Sequence, residues 1–326
     1  MENNKFLSVK NLVVQYTQEP DTIHAVNGVS FDLEKGKTLG LVGETGAGKT
    51  SIAKAILRIL PDVGAYIREG EVVLEGKNLV ELSEPEMQEI RGGKIAMIFQ
   101  DPMTALNPLM TVGEQIAEAI ELHNKDWTRT QCSEEAVRML EMVGIPGERF
   151  GEYPYQFSGG MKQRVVIAMA LSCDPELLLA DEPTTALDVT IQAQVLNLIK
   201  GLREKLNTSM ILITHDLGVV AEMCDEVATV YAGHIVEKGN VMEVYTAPAH
   251  PYTKGLFGAL PTMNAGSRRL TPIPGMMPDP AIEPVGCPFA PRCAFATDIC
   301  KEQMPEIRKL GDNHYVACHH GIGGES

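Results

Sequence analysis

Leu39-Gly40-Leu41-Val42-Gly43-Glu44-Thr45-Gly46-Ala47-Gly48-Lys49-Thr50 decides the fold. The stretch opens on an apolar run of the kind a buried strand shows, passes through the pattern G-x-x-x-x-G-K-[ST], and leads into Ile52, Ile56, Leu57 and Leu60 at helical spacing. Strand, glycine loop and helix in that order form a phosphate cradle. The glycines let backbone N–H groups curl round the phosphates, and the helix points its positive end at the same anion. Lys49 adds a point charge at the β- and γ-phosphates, and the Thr50 hydroxyl is suited to ligate Mg²⁺. The candidate nucleotide-binding set is Gly43, Glu44, Thr45, Gly46, Ala47, Gly48, Lys49, Thr50 and Ser51.

Outward from this loop, short strand-like runs alternate with helical patterns over the first 240 or so residues, the rhythm of an α/β domain with a largely parallel sheet. Lys94–Phe99, Leu177–Ala180 and Ile211–Thr214 read as further buried strands. In Val189–Leu206 the residues Ile191, Val195, Leu198, Ile199 and Leu202 mark one helix face behind Asp188 as N-cap. Residues 7–35 and 70–76 alternate as in an antiparallel subdomain, 103–157 are helix-like, and Val227–Val236 reads as a hairpin turning at Ala232-Gly233-His234. From Ala247 to Pro291 there are ten prolines, so an extended, loop-rich appendage is expected there. This places a nucleotide-binding domain at 1–250, with a helical subdomain at about 103–172, and a C-terminal extension at 251–326.

With 43 acidic against 28 basic residues the net charge is −15, so the attraction to phosphate backbones that drives nucleic-acid binding is missing and no nucleic-acid partner is expected. No apolar run approaches the ~20 residues that span a bilayer, and MENNKFLSVK lacks the apolar centre of a signal peptide. A cytoplasmic chain is expected, serving any membrane through a partner. Seven cysteines in such a chain argue for free thiols or metal ligands over a disulfide framework.

Leu177-Leu178-Leu179-Ala180-Asp181-Glu182 is an apolar strand ending in two carboxylates. Asp181, the first of them, suits Mg²⁺, and Glu182 suits a general base for water. Phe157-Ser158-Gly159-Gly160-Met161-Lys162-Gln163-Arg164 resembles the LSGGQ signature of ATP-binding cassette (ABC) ATPases, with Phe for Leu and Met for the final Gln. Physically, Ser158 can cap a helix whose N-terminus, bared by Gly159 and Gly160, forms a second phosphate site. Gln100 resembles that family's Q-loop glutamine, His215 its switch histidine, Ala186-Leu187-Asp188 its D-loop, and Tyr16 the aromatic residue that stacks on adenine.

The resemblance spans roughly residues 7–245 and implies a P-loop NTPase fold of ABC type that hydrolyses ATP in a sandwich dimer. Lys49 and Thr50 of one subunit would face Ser158 and Gly160 of the other. Thr50, Asp181 and Gln100 would serve Mg²⁺, Glu182 would position or deprotonate water, His215 would sense the γ-phosphate, and Gln100 would link the site to a transport partner.

Three stretches outside that common core, Phe99–Pro108, His250-Pro251-Tyr252-Thr253 and the cysteine-bearing tail, resemble the ATPases of bacterial dipeptide and oligopeptide importers, whose relatives also serve nickel and glutathione uptake. The partners implied are a second ABC ATPase subunit, in a heterodimer or by self-association, two transmembrane permease subunits and an extracytoplasmic solute-binding protein, with the chain on the cytoplasmic face of the membrane. Cys287, Cys293, Cys300 and Cys318 give C-x5-C-x6-C-x17-C, in a loop-rich piece too small for a hydrophobic core of its own. Without the paired C-x2-C of zinc ribbons the spacing suits an iron–sulfur cluster better than zinc, and in the resembling subunits this tail binds a [4Fe–4S] cluster. Zinc, with His314, His319 and His320 as further ligands, and unligated thiols remain alternatives. The competing functions are a nickel or metallophore importer and a soluble ABC ATPase of iron–sulfur assembly. A DNA-maintenance ATPase would need heptad arms between Lys49 and Ser158, and none is present.

Overall fold

The structure is a computed structural model that describes residues 5–185, 187–258 and 272–320. Ala186 of the D-loop stretch lies outside the described residues. The chain forms two compact units, one of Met1–Leu33, Thr38–Val80 and Ile213–Ser326, the other of Glu34–Lys37 and Glu81–Leu212. The described residues from 251 onward belong to the first of these units.

The first unit opens with β1 (Lys5–Gln18), β2 (Asp21–Glu34), β3 (Thr38–Val42), α1 (Lys49–Leu57), β4 (Ala65–Leu74) and β5 (Lys77–Asn78). An antiparallel sheet in the order β2-β1-β4-β5 matches the alternating pattern read from residues 7–35 and 70–76, although β1 starts at Lys5 and β4 at Ala65, ahead of those bounds. Each places apolar residues such as Leu7, Val9, Val29 and Phe31 on a buried face.

The second unit follows with α2 (Glu84–Ile90), β6 (Ile95–Ile98), α3 (Pro102–Ala105), α4 (Val112–His123), α5 (Arg129–Met142), α6 (Gly159–Leu171), β7 (Leu177–Asp181), α7 (Val189–Leu206) and β8 (Ser209–Ile213). Its strands lie in the order β8-β7-β6, with β6 and β7 parallel, and every residue in them is buried. That burial explains why these strands read as unbroken apolar runs. Thr111 and Thr128 cap α4 and α5 in reciprocal capping boxes with Glu114 and Gln131.

The chain returns to the first unit with α8 (Leu217–Met223), β9 (Glu226–Tyr231), β10 (His234–Asn240), α9 (Val241–Thr246), α10 (Pro251–Gly258), α11 (Asp298–Glu302), β11 (Ile307–Lys309) and β12 (His314–Ala317). Strand order there is β11-β12-β10-β9-β3, with β3 and β9 parallel and the rest antiparallel. The β9–β10 hairpin turns on Ala232 (φ 46°) and Gly233 (φ 78°), a two-residue turn with both centres left-handed, and His234 already belongs to the strand.

The extension is more ordered than its proline content suggests. The helix α10 starts at Pro251, where a proline forfeits no helical hydrogen bond. Strand β12 pairs with β10 through Glu237↔Val316, Lys238↔Tyr315 and Gly239↔His314. The Glu237 carboxylate, 1% exposed, accepts from Ala249 N at 2.7 Å, His250 N at 2.9 Å and His314 Nε2 at 2.7 Å. A buried carboxylate is tolerable only with such a full set of donors, so this residue pins the extension to the sheet.

Candidate nucleotide site

The residues singled out in the sequence divide between the two units. Tyr16, Gly43–Ser51 and His215 lie in the first; Gln100, Ser158–Gly160, Asp181, Glu182 and Asp188 lie in the second.

In the first unit the glycine loop follows the buried strand β3 and delivers Lys49 and Thr50 at the start of α1. Two glycines are sterically obligatory. A Cβ on Gly43 would sit 2.2 Å from the Val230 carbonyl oxygen, and one on Gly48, at φ 102°, 2.3 Å from that of Ala25. Gly46 at the tip is open, with only Met277 Cε at 3.9 Å. Lys49, 6% exposed, donates to the carbonyl oxygens of Gly43 at 2.7 Å and Glu44 at 2.9 Å. Its ammonium is thus folded into the concave side of the loop where an anion would be held. The Tyr16 hydroxyl lies 3.0 Å from Ser51 Oγ, which puts the half-buried ring beside the first turn of α1. His215 is exposed just after β8, ahead of α8, which Asp216 caps by accepting from Gly218 N and Val219 N.

In the second unit Asp181 closes β7 with 3% exposure and Glu182 follows at φ 45°. Such a backbone is uncommon for a non-glycine residue and is the kind of strain that accumulates at functional positions. Gln100 Nε2 donates to Glu182 Oε2 at 3.1 Å, and the Thr185 hydroxyl donates to the same oxygen at 2.8 Å. Sequence reasoning named Gln100 and Glu182 separately; Thr185 it missed. Its position three residues after the candidate base, in a turn where Thr185 N bonds to Glu182 O, was the available signal.

Ser158 caps α6 by accepting from Met161 N at 3.4 Å, and it is exposed together with Gly159. Gly160 is required by packing, since a Cβ there would lie 2.6 Å from Ile191 Cγ2 of α7. Asp188 caps α7, accepting from Ile191 N at 3.0 Å, as its place before the helical pattern predicts. Phe157 is covered by the Arg149 guanidinium, 4.3 Å from its ring centre.

The extension also reaches the glycine loop, which nothing in the sequence foretold. Arg292 makes a two-pronged ion pair with Glu44, at 2.7 and 3.0 Å, and Glu44 N donates to the Tyr252 hydroxyl at 2.8 Å. The Glu44 carboxylate holds the Arg292 guanidinium even more firmly protonated than usual. A cavity of about 510 Å³ opens beside Gly46, bounded by His24, Asn27, Met276, Met277 and Ile282.

All seven cysteines lie among the described residues, and none of them forms a disulfide. Burial pushes the Cys287 thiol up to about 11, and Cys300, Cys318 and Cys293 add to the effect, so the four thiols of the tail lie within electrostatic reach of one another. Among the described residues, however, no group of three or more His, Cys, Asp or Glu side chains could hold a metal ion. The histidines considered for zinc are mostly engaged elsewhere: His314 with Glu237, and His319 Nε2 with the Gln303 carbonyl oxygen at 2.9 Å. His320 Nε2 alone approaches a thiol, 3.3 Å from Cys300 Sγ. The arrangement does not fit a single zinc ion. Among the described residues no helix is long and apolar enough to cross a membrane.

Comparison with known proteins accounts for both parts of the chain. Residues 26–185 match the ABC transporter family, and residues 236–300 match the oligopeptide/dipeptide transporter C-terminal region. The chain is 51% identical over 316 residues to the dipeptide transport ATP-binding protein DppD of Bacillus subtilis, covering 96% of this chain and 94% of that one. It is 47% identical to the oligopeptide transport ATP-binding protein OppD of Escherichia coli, covering 96% and 92%. Among solved structures, the dimeric post-hydrolysis state of the ATP-binding cassette MJ0796 bound to ADP and Pi superposes with a TM-score of 0.65 at 26% identity, over 72% of this chain and 98% of that one. The glycine loop, the strand-end carboxylates and the capped glycine helix thus sit in an ABC-type α/β fold that hydrolyses ATP, and the chain belongs to the ATP-binding subunits of the dipeptide and oligopeptide ABC transporters.

Proposed function

We propose that this subunit powers uptake of dipeptides or oligopeptides from the cytoplasmic face of the membrane. Its partners in this reading are a second ABC ATPase in a heterodimer, two transmembrane permease subunits and an extracytoplasmic solute-binding protein. The cargo reading is supported by the match of residues 236–300 to the peptide-transporter C-terminal region, because the ATPase core alone carries no information on cargo.

ATP would be held by the N–H groups of Gly43–Ser51, by Lys49 and by the Tyr16 ring. Thr50 and Asp181 would hold Mg²⁺, with Gln100 assisting; the ion neutralises charge developing on the β- and γ-phosphates. Glu182, oriented by Gln100 and Thr185, would take the proton from the attacking water. A conformational change that draws Gln100 away frees one lone pair of Glu182 for that water, which ties hydrolysis to the transport partner. His215 would contact the γ-phosphate, and Ser158, Gly159 and Gly160 would close over an ATP bound to the partner ATPase, with Asp188 in the adjoining turn.

For the tail, a [4Fe–4S] cluster on Cys287, Cys293, Cys300 and Cys318 is the reading supported by the cysteine spacing and the resemblance, although as placed these thiols form no metal-holding group among the described residues. Each thiolate of such a cluster binds a different iron, so the four sulfurs need not converge on one point as they must for zinc. When bound, such a cluster would supply a compensating positive centre for Cys287 and Cys293, whose partial burial disfavours their thiolates. Anaerobically purified protein should carry stoichiometric iron and sulfide, and colourless protein holding zinc would refute this assignment.

The transport reading is tested by assembling the complex in liposomes and following ATP hydrolysis with dipeptides, longer peptides and Ni²⁺ delivered by the solute-binding protein. Stimulation by peptides is expected. Stimulation by Ni²⁺ alone would transfer the subunit to metal uptake.

A further inference from the structure

Between two of the tail cysteines the sequence reads Cys287-Pro288-Phe289-Ala290-Pro291-Arg292-Cys293. Two prolines limit the backbone, and Ala290 N to Cys287 O at 2.9 Å, Arg292 N to Phe289 O at 3.0 Å and Cys293 N to Ala290 O at 3.3 Å wind the stretch into one tight 3₁₀ turn. Phe289 seats the turn on Tyr231 and Tyr252, with ring centres 5.2 and 5.4 Å away, and Cys287 and Cys293 pack against the same aromatic cluster.

Arg292 leaves this turn toward the glycine loop with its side chain 5% exposed. Besides the two bonds to Glu44, its Nε donates to the Pro274 carbonyl oxygen at 2.8 Å and its Nη1 to the Tyr231 hydroxyl at 3.3 Å. Its donors are therefore nearly all committed, and the guanidinium cannot swing without breaking several bonds at once. Glu44 is held on its other side by Tyr252 through its backbone N–H. The first variable residue of the phosphate loop is thus clamped at side chain and backbone by residues of the extension. An ion pair with its carboxylate 30% exposed is a weak stabilising device, which leaves geometric control as the stronger account of this one.

We propose that Arg292 is a positioning residue for ATP, fixing the phosphate loop through Glu44. Phe289 fixes the turn on Tyr231 and Tyr252, so the base of Arg292 is held in place while its guanidinium grips Glu44. A displacement of the loop by a fraction of an ångström is enough to misplace its N–H donors on the phosphates.

The experiment is a set of ATP-binding titrations on the full-length chain with a fluorescent ATP analogue. Arg292→Met and Glu44→Gln should each raise Kd roughly tenfold, the double variant should be no weaker than either single, and Arg292→Lys, which keeps one contact, should recover most of the loss. Should Arg292→Met fail to fold, Arg292→Lys with Glu44→Gln completes the same cycle. Unchanged Kd in a folded Arg292→Met variant, or losses at Arg292 and Glu44 that simply add, would overturn the brace.

Discussion

Gln100 and Glu182 are joined side chain to side chain, amide nitrogen to carboxylate oxygen, at 3.1 Å. With Thr185 on the same oxygen at 2.8 Å, the carboxylate is oriented before any substrate arrives, and the strained backbone of Glu182 turns it out of the end of β7. This is the arrangement expected of a base that must be held still and then released.

Glu182→Gln keeps the size and the hydrogen bonds of the side chain but removes its capacity to accept a proton. Hydrolysis should fall by about 10²–10⁴-fold with ATP affinity retained, as read by phosphate release and by ATP titration. Wild-type turnover in this variant would remove Glu182 from its role.

Gly48→Ala and Gly46→Ala separate crowding from backbone strain. At Gly46 the new methyl meets only Met277 at 3.9 Å, so the cost is the φ of 85° alone, about 1–2 kcal/mol. At Gly48 the methyl would overlap the Ala25 carbonyl oxygen, the loop must move, and ATP binding should be lost together with a larger drop in thermal midpoint. Equal effects of the two substitutions would show that the steric argument is wrong.

Asp188→Ala and Ser158→Ala both remove helix caps, worth about 0.5–2 kcal/mol each. The Ser158 bond is the longer, 3.4 Å against 3.0 Å, so on stability alone Ser158→Ala should be the milder change. If Ser158 serves a phosphate in the partner ATPase, it should be the more damaging in the assembled ATPase. Urea melts alongside turnover decide it; a Ser158→Ala protein with normal turnover speaks against the signature assignment.

Burial holds His234 at about 4 and His250 at about 3, against an ordinary value near 6.5. Both stay neutral in the folded chain while the unfolded chain takes up protons, so stability should fall as pH drops from about 6.5 towards 4.5. Each contributes a slope of about 1.4 kcal/mol per pH unit, and carboxylates enter only below that window. Replacing His234 with Gln should roughly halve the slope of urea stability against pH; an unaltered slope would contradict the assignment.

Much of the first 240 residues was legible because local chemistry dictates it. The loop Gly43–Thr50 requires its glycines where the structure has Val230 and Ala25 pressing on them, and Asp188 announces α7 by capping it. What was illegible depends on contacts distant in the sequence. Strand β12 spans only His314–Ala317, and its pairing with β10 leaves no local periodicity to read. The proline content of the extension correctly signalled broken secondary structure but concealed that Glu237 would gather Ala249, His250 and His314 around one buried carboxylate. Arg292 and Glu44 are each ordinary charged residues in their own neighbourhoods, and only the fold makes them a pair.

The most direct test of the mechanism is a crystal structure of the Glu182→Gln protein assembled with its partner ATPase and loaded with ATP and Mg²⁺. The account predicts Ser158 Oγ within hydrogen-bonding distance of the γ-phosphate of an ATP held in the partner ATPase's phosphate loop. An ATP seated on a phosphate loop but remote from the glycine helix of any adjoining subunit would contradict it.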